Sequence, residues 1–218
     1  MHSNYEQCGS SMYISPAFKT DDETALSFAA KRGFGTLVAV DGGRPVASHL
    51  PFLLHRDEGR LWAELHVARA NPLHEIIARA PEVLLTVVGP DAYISPDWYV
   101  SADQVSTWNY VSVHLSGTAR ILPCTDNLVH VDRLSAHFEE QLLPKKPWTS
   151  AKMTVARRKA MLSAIVGMQI DVTKVEAQWK LGQHKSTADQ AGVIARLKEL
   201  GTPKALGYLS AIEQWLRK

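Results

Sequence analysis

Three strand-like segments in the first third of the chain are joined by turns that are too short for a crossover helix. The segments span residues 35–40, 45–55 and 60–66, and the turns between them are 41–43 and 56–59. Both turns contain glycine, which adopts the positive φ angles that tight hairpins need. Parallel neighbours require a crossover of about a dozen residues or more, so these strands have to be antiparallel. The sheet therefore begins as an antiparallel meander, and a doubly wound parallel sheet is disfavoured.

The rest of the chain supplies further strands and helices around that meander. Thr20 and Glu23 have the spacing of a capping box with Thr20 as the N-cap, and Gly33 suits the end of the following helix. Residues 90–106 show no regular period. Periodicity predicts strands at 83–89, 108–121 and 165–181, and helices at 72–78, 125–143, 155–163, 187–200 and 203–216. The expected architecture is a small antiparallel β-barrel with helices inserted and appended.

Two helical regions carry patterns that bear on packing and partners. The C-terminal pair of helices, residues 186–218, resembles a helix–turn–helix motif around Gly201, and such a motif would indicate DNA binding. Its second helix presents few polar side chains that could read bases, which favours an αα-hairpin packed on the barrel. The predicted division is a tail at 1–11, a barrel domain at 12–185 and this helical pair. The helix at 125–143 has an apolar face at helical spacing, formed by Leu128, Val131, Leu134, His137 or Phe138, and Leu142.

Charge and cysteine content narrow the class of protein. The formal net charge of +2 argues against a nucleic-acid binder that relies on bulk charge, although a local basic patch such as 157–159 could still hold phosphates. The two cysteines, Cys8 and Cys124, form no metal or redox motif, so a reducing compartment is expected. Residues 1–11 lack the apolar core of a signal peptide, and the longest aliphatic run is too short to span a bilayer. We therefore expect a soluble, cytoplasmic protein that does not associate with membranes.

A strand runs directly into a helix start at residues 60–72. Asn71 is a good N-cap, and Pro72 suits the first helical position because its missing N–H costs nothing there. Free backbone N–H groups at a helix start favour an anion, and the planar guanidinium of Arg69 suits phosphate. His66 lies at the strand end. The stretch predicts a compact anion site, with a surface turn and a solvated arginine as the alternative.

Pro51 interrupts the strand that includes Ser48 and His49. A proline inside a strand indicates an edge, where backbone groups stay free for a ligand, or a device against aggregation. Elsewhere, the nine histidines show no pair with the spacing of a helical zinc motif. No nucleophile motif is present either. The sequence therefore predicts no catalytic residue and no metal site.

Two further stretches place aromatic and polar groups at strand ends. Trp108 and Asn109 begin a strand after a polar loop, where they could pack on a flat ligand or serve core packing. Lys180 and Gln183 lie at the end of the last strand. They could reach a phosphate or a heteroaromatic edge, or remain solvated as most such lysines are.

Five short motifs occur in order along the chain, at residues 12–16, 48–51, 66–72, 107–110 and 179–183. Together they resemble the PaiB-like family, whose members are described as FMN-binding negative transcriptional regulators. That family is similar to the FMN-binding split barrel of pyridoxamine 5′-phosphate oxidases and flavin reductases. The resemblance implies an α+β, mainly β fold: an antiparallel split β-barrel with peripheral helices and a C-terminal helical pair. It also implies a homodimer with two FMN sites at the subunit interface.

The resemblance unites the separate stretches in one flavin site. It implies that the isoalloxazine lies beside the strand residues Ser48, His49, Leu50 and Pro51. It implies that the ribityl phosphate is surrounded by His66, Val67, Ala68, Arg69 and Asn71. The residues implied to close the site from the partner subunit are Trp108, Asn109, Lys180 and Gln183. Gly182 and His184 depart from the family pattern, in which serine and asparagine are common at these positions.

Two functions are compatible with this site. The first is an FMN-binding homodimer of the PaiB type that acts as a negative transcriptional regulator, with DNA as a weakly supported direct partner. The alternative is a flavin-dependent oxidoreductase or flavin reductase that uses NAD(P)H on an unknown substrate, because the cofactor would carry the redox chemistry. A flavin storage or sensing module differs from the first function only in its partner.

Overall fold

The computed structural model describes residues 12–216, so the predicted tail at 1–11 lies outside the described residues. Within residues 12–216, six strands follow the order β1-β2-β3-β6-β5-β4, and β4 pairs again with β1, which closes the barrel. The registers of the β1–β2, β2–β3, β3–β6 and β1–β4 pairs are all antiparallel. The strands are β1 Phe34–Asp41, β2 Arg44–Asp57, β3 Arg60–Ala68, β4 Glu82–Ile94, β5 Thr107–Ile121 and β6 Ile165–Lys180.

Six α-helices are present in the same described range, and each corresponds to a helix that the sequence predicts. No helix within residues 12–216 is both long and apolar enough to cross a membrane. The helices are α1 Asp22–Arg32, α2 Leu73–Arg79, α3 Asn127–Glu140, α4 Val155–Ser163, α5 Thr187–Leu200 and α6 Pro203–Leu216.

The two tight turns of the meander have the predicted backbone. Gly42 and Gly43 lie at φ +54° and +84°, and Gly59 lies at +85°. These angles are strained for residues with a Cβ and are readily adopted by glycine. The first hairpin aligns Asp41 with Arg44, and the second aligns Asp57 with Arg60. The prediction of an antiparallel meander is confirmed.

Contacts along the chain define two compact units, which are described one at a time. Among the described residues, the first unit comprises 12–25, Val88–Val113 and 176–216, and the second comprises Leu26–Val87 and His114–Val175. The division at residue 185 that the sequence suggests stays a prediction.

In the second unit, the middle of β3, from Ala63 to Leu65, is buried on both faces of the strand. Leu65 and Val67 are 0% and 5% exposed and belong to the apolar core. The opposite face carries Glu64 and His66, and α3 packs on it through His130. A strand covered on both faces by neighbours is positioned rigidly, which suits a strand that carries candidate ligand-binding residues.

In the first unit, α5 and α6 pack together as a helical pair, and Gly201 caps the end of α5. Ser186 caps α5, because its Oγ accepts a hydrogen bond from the Asp189 N–H at 3.1 Å. Gly201 ends α5 at φ +56°. The carboxylate of Asp189 also accepts bonds from the backbone N–H groups of Val100 and Ser101, at 2.8 and 2.9 Å. These hydrogen bonds, led by those from Ser101, hold the pKa of Asp189 far below its usual value.

Three differences between the predicted and the observed elements have a clear physical reason. Asp21 rather than Thr20 caps α1: its Oδ1 accepts the Thr24 N–H at 2.7 Å, and aspartate is preferred to threonine as an N-cap. Helix α3 ends at Glu140 instead of residue 143. The next three N–H groups bond three residues back, which tightens the last turn before Pro144.

The third difference concerns residues 90–106, which were expected to be irregular. The first part of this stretch continues β4 to Ile94. Val83, Leu85 and Val87 are buried before Gly89, and Ala92 and Ile94 are buried after Pro90, so the alternation resumes with its phase shifted by one residue. The Gly89-Pro90 pair obscures that alternation in the sequence.

Candidate cofactor-binding site

The junction between β3 and α2 is organised by the Asn71 side chain, in the second unit. Its Oδ1 accepts the Leu73 N–H at 3.0 Å, which caps the helix as predicted. Its Nδ2 donates to the Ser48 Oγ at 2.9 Å. A single amide therefore joins two predicted site residues, Ser48 and Asn71, that lie 23 positions apart in the sequence.

Arg69, next to this junction, has its guanidinium fixed by backbone carbonyls. Nε donates to the Ser163 O at 2.7 Å, and Nη2 donates to the Ile165 O at 3.0 Å. The backbone N–H of Arg69 also donates to the Ala164 O at 2.8 Å. Arginine has five N–H donors, so the orientation is set while further donors remain in the guanidinium plane. A phosphate-binding role for Arg69 stays a prediction.

Residues 48–51 pair with β1, and the pairing of β2 with β3 begins only at Phe52. Pro51 thus stands where β2 changes partners, which agrees with the expected strand edge. His49 is exposed and its Nδ1 lies 2.8 Å from the Thr36 Oγ1, whereas Leu50 is 3% exposed in the core. Of these residues, Leu50 can therefore offer a ligand its backbone only.

His66 contacts a histidine that sequence reasoning missed. Its Nδ1 lies 3.0 Å from the Nε2 of His130 on α3, with the two rings at 76°. Burial lowers the pKa of His66, and burial followed by the neighbouring His66 lowers the pKa of His130 to about 4. Both rings are therefore neutral near pH 7.

Glu64 lies behind His130 and is itself buried, at 9% exposure. Its Oε2 is 3.8 Å from the His130 Nδ1, 3.5 Å from the His55 Nε2 and 3.5 Å from the Arg133 Nη1. These side chains do not form a metal site: within residues 12–216, no three His, Cys, Asp or Glu side chains are grouped to hold an ion.

The buried face of α3 explains why His130 was missed. The residues of α3 that are buried are Asn127, His130 and Leu134, whereas Leu128 and Val131 are only partly covered. The predicted apolar face is therefore partly buried, and the most deeply buried face is turned toward Asn127 and His130. The predicted apolar face and the observed buried face of α3 share Leu134. His130 was missed because helical periodicity counts only apolar side chains.

Trp108, in the first unit, has a fixed but half-exposed indole. Its Nε1 donates to the Asp91 Oδ1 at 2.9 Å, and 49% of the residue is exposed. Lys204 of α6 bridges to the same carboxylate at 2.6 Å and lies 4.8 Å from the centre of the Trp108 ring. The indole is held in position while much of its surface remains free, so it is not simply a core residue.

The other three predicted residues of the first unit are largely engaged by the protein itself. Asn109 is 2% exposed, and its Oδ1 makes no hydrogen bond within the described part of the chain. Lys180 donates to the Thr107 Oγ1 at 2.7 Å, and burial lowers its pKa. Gln183 folds back on the turn that ends β6: its Oε1 accepts the Leu181 N–H at 2.8 Å and its Nε2 donates to the Trp179 O at 2.6 Å.

The sequence matches a known family over most of its length. The model of the family described as "Putative FMN-binding domain" matches residues 12–174. The chain is 31% identical over 212 residues to a Bacillus subtilis (strain 168) protein named Protease synthase and sporulation protein PAI 2, covering 95% of this chain and 99% of the relative. The predicted resemblance to the PaiB-like family is confirmed. The motif at 179–183 lies beyond the residues that the family model matches.

Solved structures with the same fold include two flavin proteins. The FAD and haem binding protein from Mycobacterium smegmatis has a TM-score of 0.55 at 16% identity, covering 79% of this chain and 77% of that chain. The flavocytochrome Anf3 from Azotobacter vinelandii has a TM-score of 0.53 at 16% identity, with 80% and 75% covered. At this identity the likeness concerns the fold alone. The predicted α+β fold, an antiparallel split barrel with helices, is confirmed.

Proposed function

The chain belongs to the PaiB-like family of FMN-binding domains, and on that premise we propose that it acts as an FMN-binding homodimer and negative transcriptional regulator. FMN is the cofactor of this family. The observation that carries the proposal in this chain is the set of hydrogen-bond donors at the β3–α2 junction.

The residues of that junction fit one phosphate group. Ser48 and Asn71 are in contact, Arg69 is oriented by two carbonyls, and His66 is held by a second ring. Phosphate monoesters are recognised by such sets of hydroxyl, amide and guanidinium donors. We propose that these four residues hold the ribityl phosphate, with Val67 and Ala68 supplying backbone between them.

The ring end of the flavin is proposed to lie along residues 48–51, at the edge where β2 changes partners. In the proposed homodimer, the partner subunit closes this end with Trp108, Asn109, Lys180 and Gln183. The half-exposed indole of Trp108 and the unpaired carbonyl of buried Asn109 support this assignment. FMN, when bound, supplies one- and two-electron redox chemistry, whereas the protein supplies binding and orientation.

The regulatory role is proposed from the B. subtilis relative, whose name refers to protease synthesis and sporulation. Direct DNA contact is a separate matter. In the first unit, α5 and α6 bury the apolar side chains of Val193, Leu197, Leu209 and Ile212. This burial supports a packed αα-hairpin rather than an exposed DNA-recognition helix. A titration with genomic DNA fragments at several salt concentrations tests direct contact, and absence of binding even at low salt would exclude it.

The absorption spectrum of the purified protein tests flavin binding. We expect flavin absorption bands that persist on gel filtration and the release of FMN, identified by mass, on denaturation. Colourless protein that fails to bind added FMN would contradict the proposal. The same sample distinguishes the alternative function: rapid, saturable reduction of the bound flavin by NADH or NADPH would identify a flavin-dependent oxidoreductase instead of a regulator.

A further inference from the structure

A chain of three side chains runs from the buried Glu64 to the candidate phosphate ligand His66. The His66 Nδ1 and the His130 Nε2 lie 3.0 Å apart, and the His130 Nδ1 faces the Glu64 Oε2 at 3.8 Å. His130 is 2% exposed and Glu64 is 9% exposed. The His130 Nδ1 makes no hydrogen bond among the described residues, so the carboxylate is the negative group that faces it.

The fold brings α3 unusually close to the strands at this point. Gly167 of β6 is paired with His66 of β3. A Cβ on Gly167 would lie 2.8 Å from the Asn127 Oδ1 at the start of α3. The absence of a side chain at position 167 therefore lets the polar face of α3, with Asn127 and His130, rest directly on the strand pair. His130 therefore belongs to the fixed surroundings of the His66 ring.

One proton is shared between the two rings, and Glu64 decides its position. If His130 donated from Nε2 while neutral, its Nδ1 lone pair would face the carboxylate, which is unfavourable. The favoured neutral arrangement puts a proton on the His130 Nδ1, so that the His66 Nδ1–H donates to the His130 Nε2. The Nε2 of His66 then carries a lone pair, which repels a phosphate oxygen.

Addition of one proton to the histidine pair turns the His66 Nε2 from an acceptor into a donor. With both nitrogens of His130 protonated, Nδ1–H faces Glu64 and Nε2–H donates to the His66 Nδ1. His66 then carries its own proton on Nε2, where it can donate to an anion. The added proton comes from solvent, and the positive charge rests on His130 between the Glu64 carboxylate and the anion.

We propose that His130 is a positioning residue that sets the proton on His66, and that binding of the FMN phosphate is accompanied by uptake of a proton by the His66–His130 pair. This coupling rests on the proposed function, in which His66 contacts the phosphate. Burial keeps the pair neutral without a ligand, since it lowers the pKa of both histidines. The phosphate supplies the negative charge that makes protonation favourable.

Three other groups contact the Glu64 carboxylate. The Trp62 Nε1 donates to its Oε1 at 3.4 Å, and two further groups modulate the coupling. Arg133 of α3 is 3.5 Å from the Glu64 Oε2, and its charge opposes protonation of His130. His55 of β2 is also 3.5 Å from that oxygen, and burial lowers its pKa, so it stays neutral near pH 7. Its ring stacks on Trp62 at 5.1 Å. Glu64 therefore pairs with the Arg133 guanidinium at all times, and it also becomes the counter-ion of protonated His130 when the ligand binds.

Calorimetric titration of the cofactor-free protein with FMN, in buffers that differ in ionisation enthalpy, measures the protons taken up. Near pH 7 the FMN phosphate is mostly dianionic, because its second pKa is about 6. We expect wild type to take up a substantial fraction of one proton and its Kd to rise by up to about tenfold per pH unit on the alkaline side. Riboflavin, which lacks the phosphate, should bind without this uptake.

His130→Gln should abolish the uptake and flatten the pH profile, while Glu64→Gln should reduce the uptake. His137→Gln, the same change on the same helix, is the matched control and should behave as wild type. Thermal unfolding verifies that each variant is folded, and ¹⁵N spectra of histidine-labelled wild type give a second readout, in which added FMN should convert one ring to the doubly protonated form.

The possible failures are distinguishable. If wild type does not bind FMN, the proposed function and the coupling of FMN binding to proton uptake are both wrong. If FMN binds with equal proton uptake in wild type and His130→Gln, the proposed function stands and the coupling is wrong. If His130→Gln weakens binding equally at every pH, His130 has only a structural role and the coupling is again wrong.

Discussion

At the scale of single residues, the candidate phosphate site depends on side chains that each make more than one contact. Asn71 caps α2 with its oxygen and holds Ser48 with its nitrogen. Arg69 is anchored by the carbonyls of Ser163 and Ile165. Groups that are oriented before a ligand arrives lose little entropy on binding. In the proposed phosphate site, this prior orientation favours affinity as well as stability.

Arg69→Ala is expected to weaken FMN binding by about 1–3 kcal/mol, because it removes a charged donor to the phosphate. Fluorescence quenching of FMN on titration measures the change. Arg44→Ala, at an exposed hairpin position, is the control and should leave the affinity unchanged. Equal affinities for Arg69→Ala and wild type would show that Arg69 only fastens the segment that follows α4.

His130 is expected to make the cofactor-free protein acid-sensitive. Its pKa is about 4 in the folded state, lowered first by burial, against 6.5 ordinarily. Between these values the unfolded chain binds more protons than the folded one, so the free energy of unfolding falls as the pH decreases, by at most about 1.4 kcal/mol per pH unit.

Urea unfolding at several pH values measures this slope, and it should be shallower in His130→Gln. Above about pH 6.5 the two proteins should show parallel profiles, since neither His130 nor its unfolded counterpart then carries a proton. Identical slopes below that pH would show that another group causes any loss of stability.

At the scale of secondary-structure elements, α3 is the element whose placement matters most. Its buried face is polar at Asn127 and His130, and it approaches the strands at Gly167, where a side chain would collide with Asn127. The Asn127 Nδ2 donates to the Leu162 O at 3.1 Å, which ties the start of α3 to the end of α4. These polar contacts fix the rotation of α3 about its own axis, which an apolar face alone would leave undetermined.

Gly167→Ala is expected to destabilise the fold by about 1–3 kcal/mol, the usual cost of inserting a methyl group where there is no space. Gly207→Ala in α6 is a matched control, because a Cβ there meets nothing within 4 Å. That change should be neutral or stabilise by up to about 1 kcal/mol, since alanine favours helix. Chemical denaturation measures both, and equal stabilities would contradict the close approach of α3.

At the scale of the whole molecule, the proposed homodimer concerns the exposed aromatic surface of the first unit. Trp108 is 49% exposed although Asp91 and Lys204 fix its ring, and Tyr93 lies beside it at 6.1 Å. A rigid, half-exposed tryptophan is typical of residues that carry binding energy at interfaces. The position of α6 matters to this surface because Lys204 belongs to it.

Trp108→Ala is expected to weaken both dimerisation and flavin retention, because the proposed site is shared between subunits. Sedimentation equilibrium gives the first quantity and the flavin-to-protein absorbance ratio gives the second. Trp148→Ala is the control, as that residue is 37% exposed and belongs to the second unit. A stable dimer with normal flavin content in Trp108→Ala would assign Trp108 to local packing.

The amino-acid sequence by itself determined the features that depend on neighbouring residues. Turn glycines specified the two hairpins, and Asn71 specified the start of α2. These signals are local because turn and cap geometry depends on a few consecutive backbone angles and donors. The family motifs added the cofactor and the fold, which periodicity alone would have left at an antiparallel barrel.

Only the tertiary structure decided which polar groups meet. Ser48 and Asn71 are 23 positions apart, His66 and His130 are 64 apart, and Arg69 is 94 from Ser163. Helical periodicity could not choose between two faces of α3 that share Leu134, because the pattern scores apolar side chains and ignores a buried histidine. Hydrogen bonds between distant segments depend on the assembled barrel, so no local pattern predicts them.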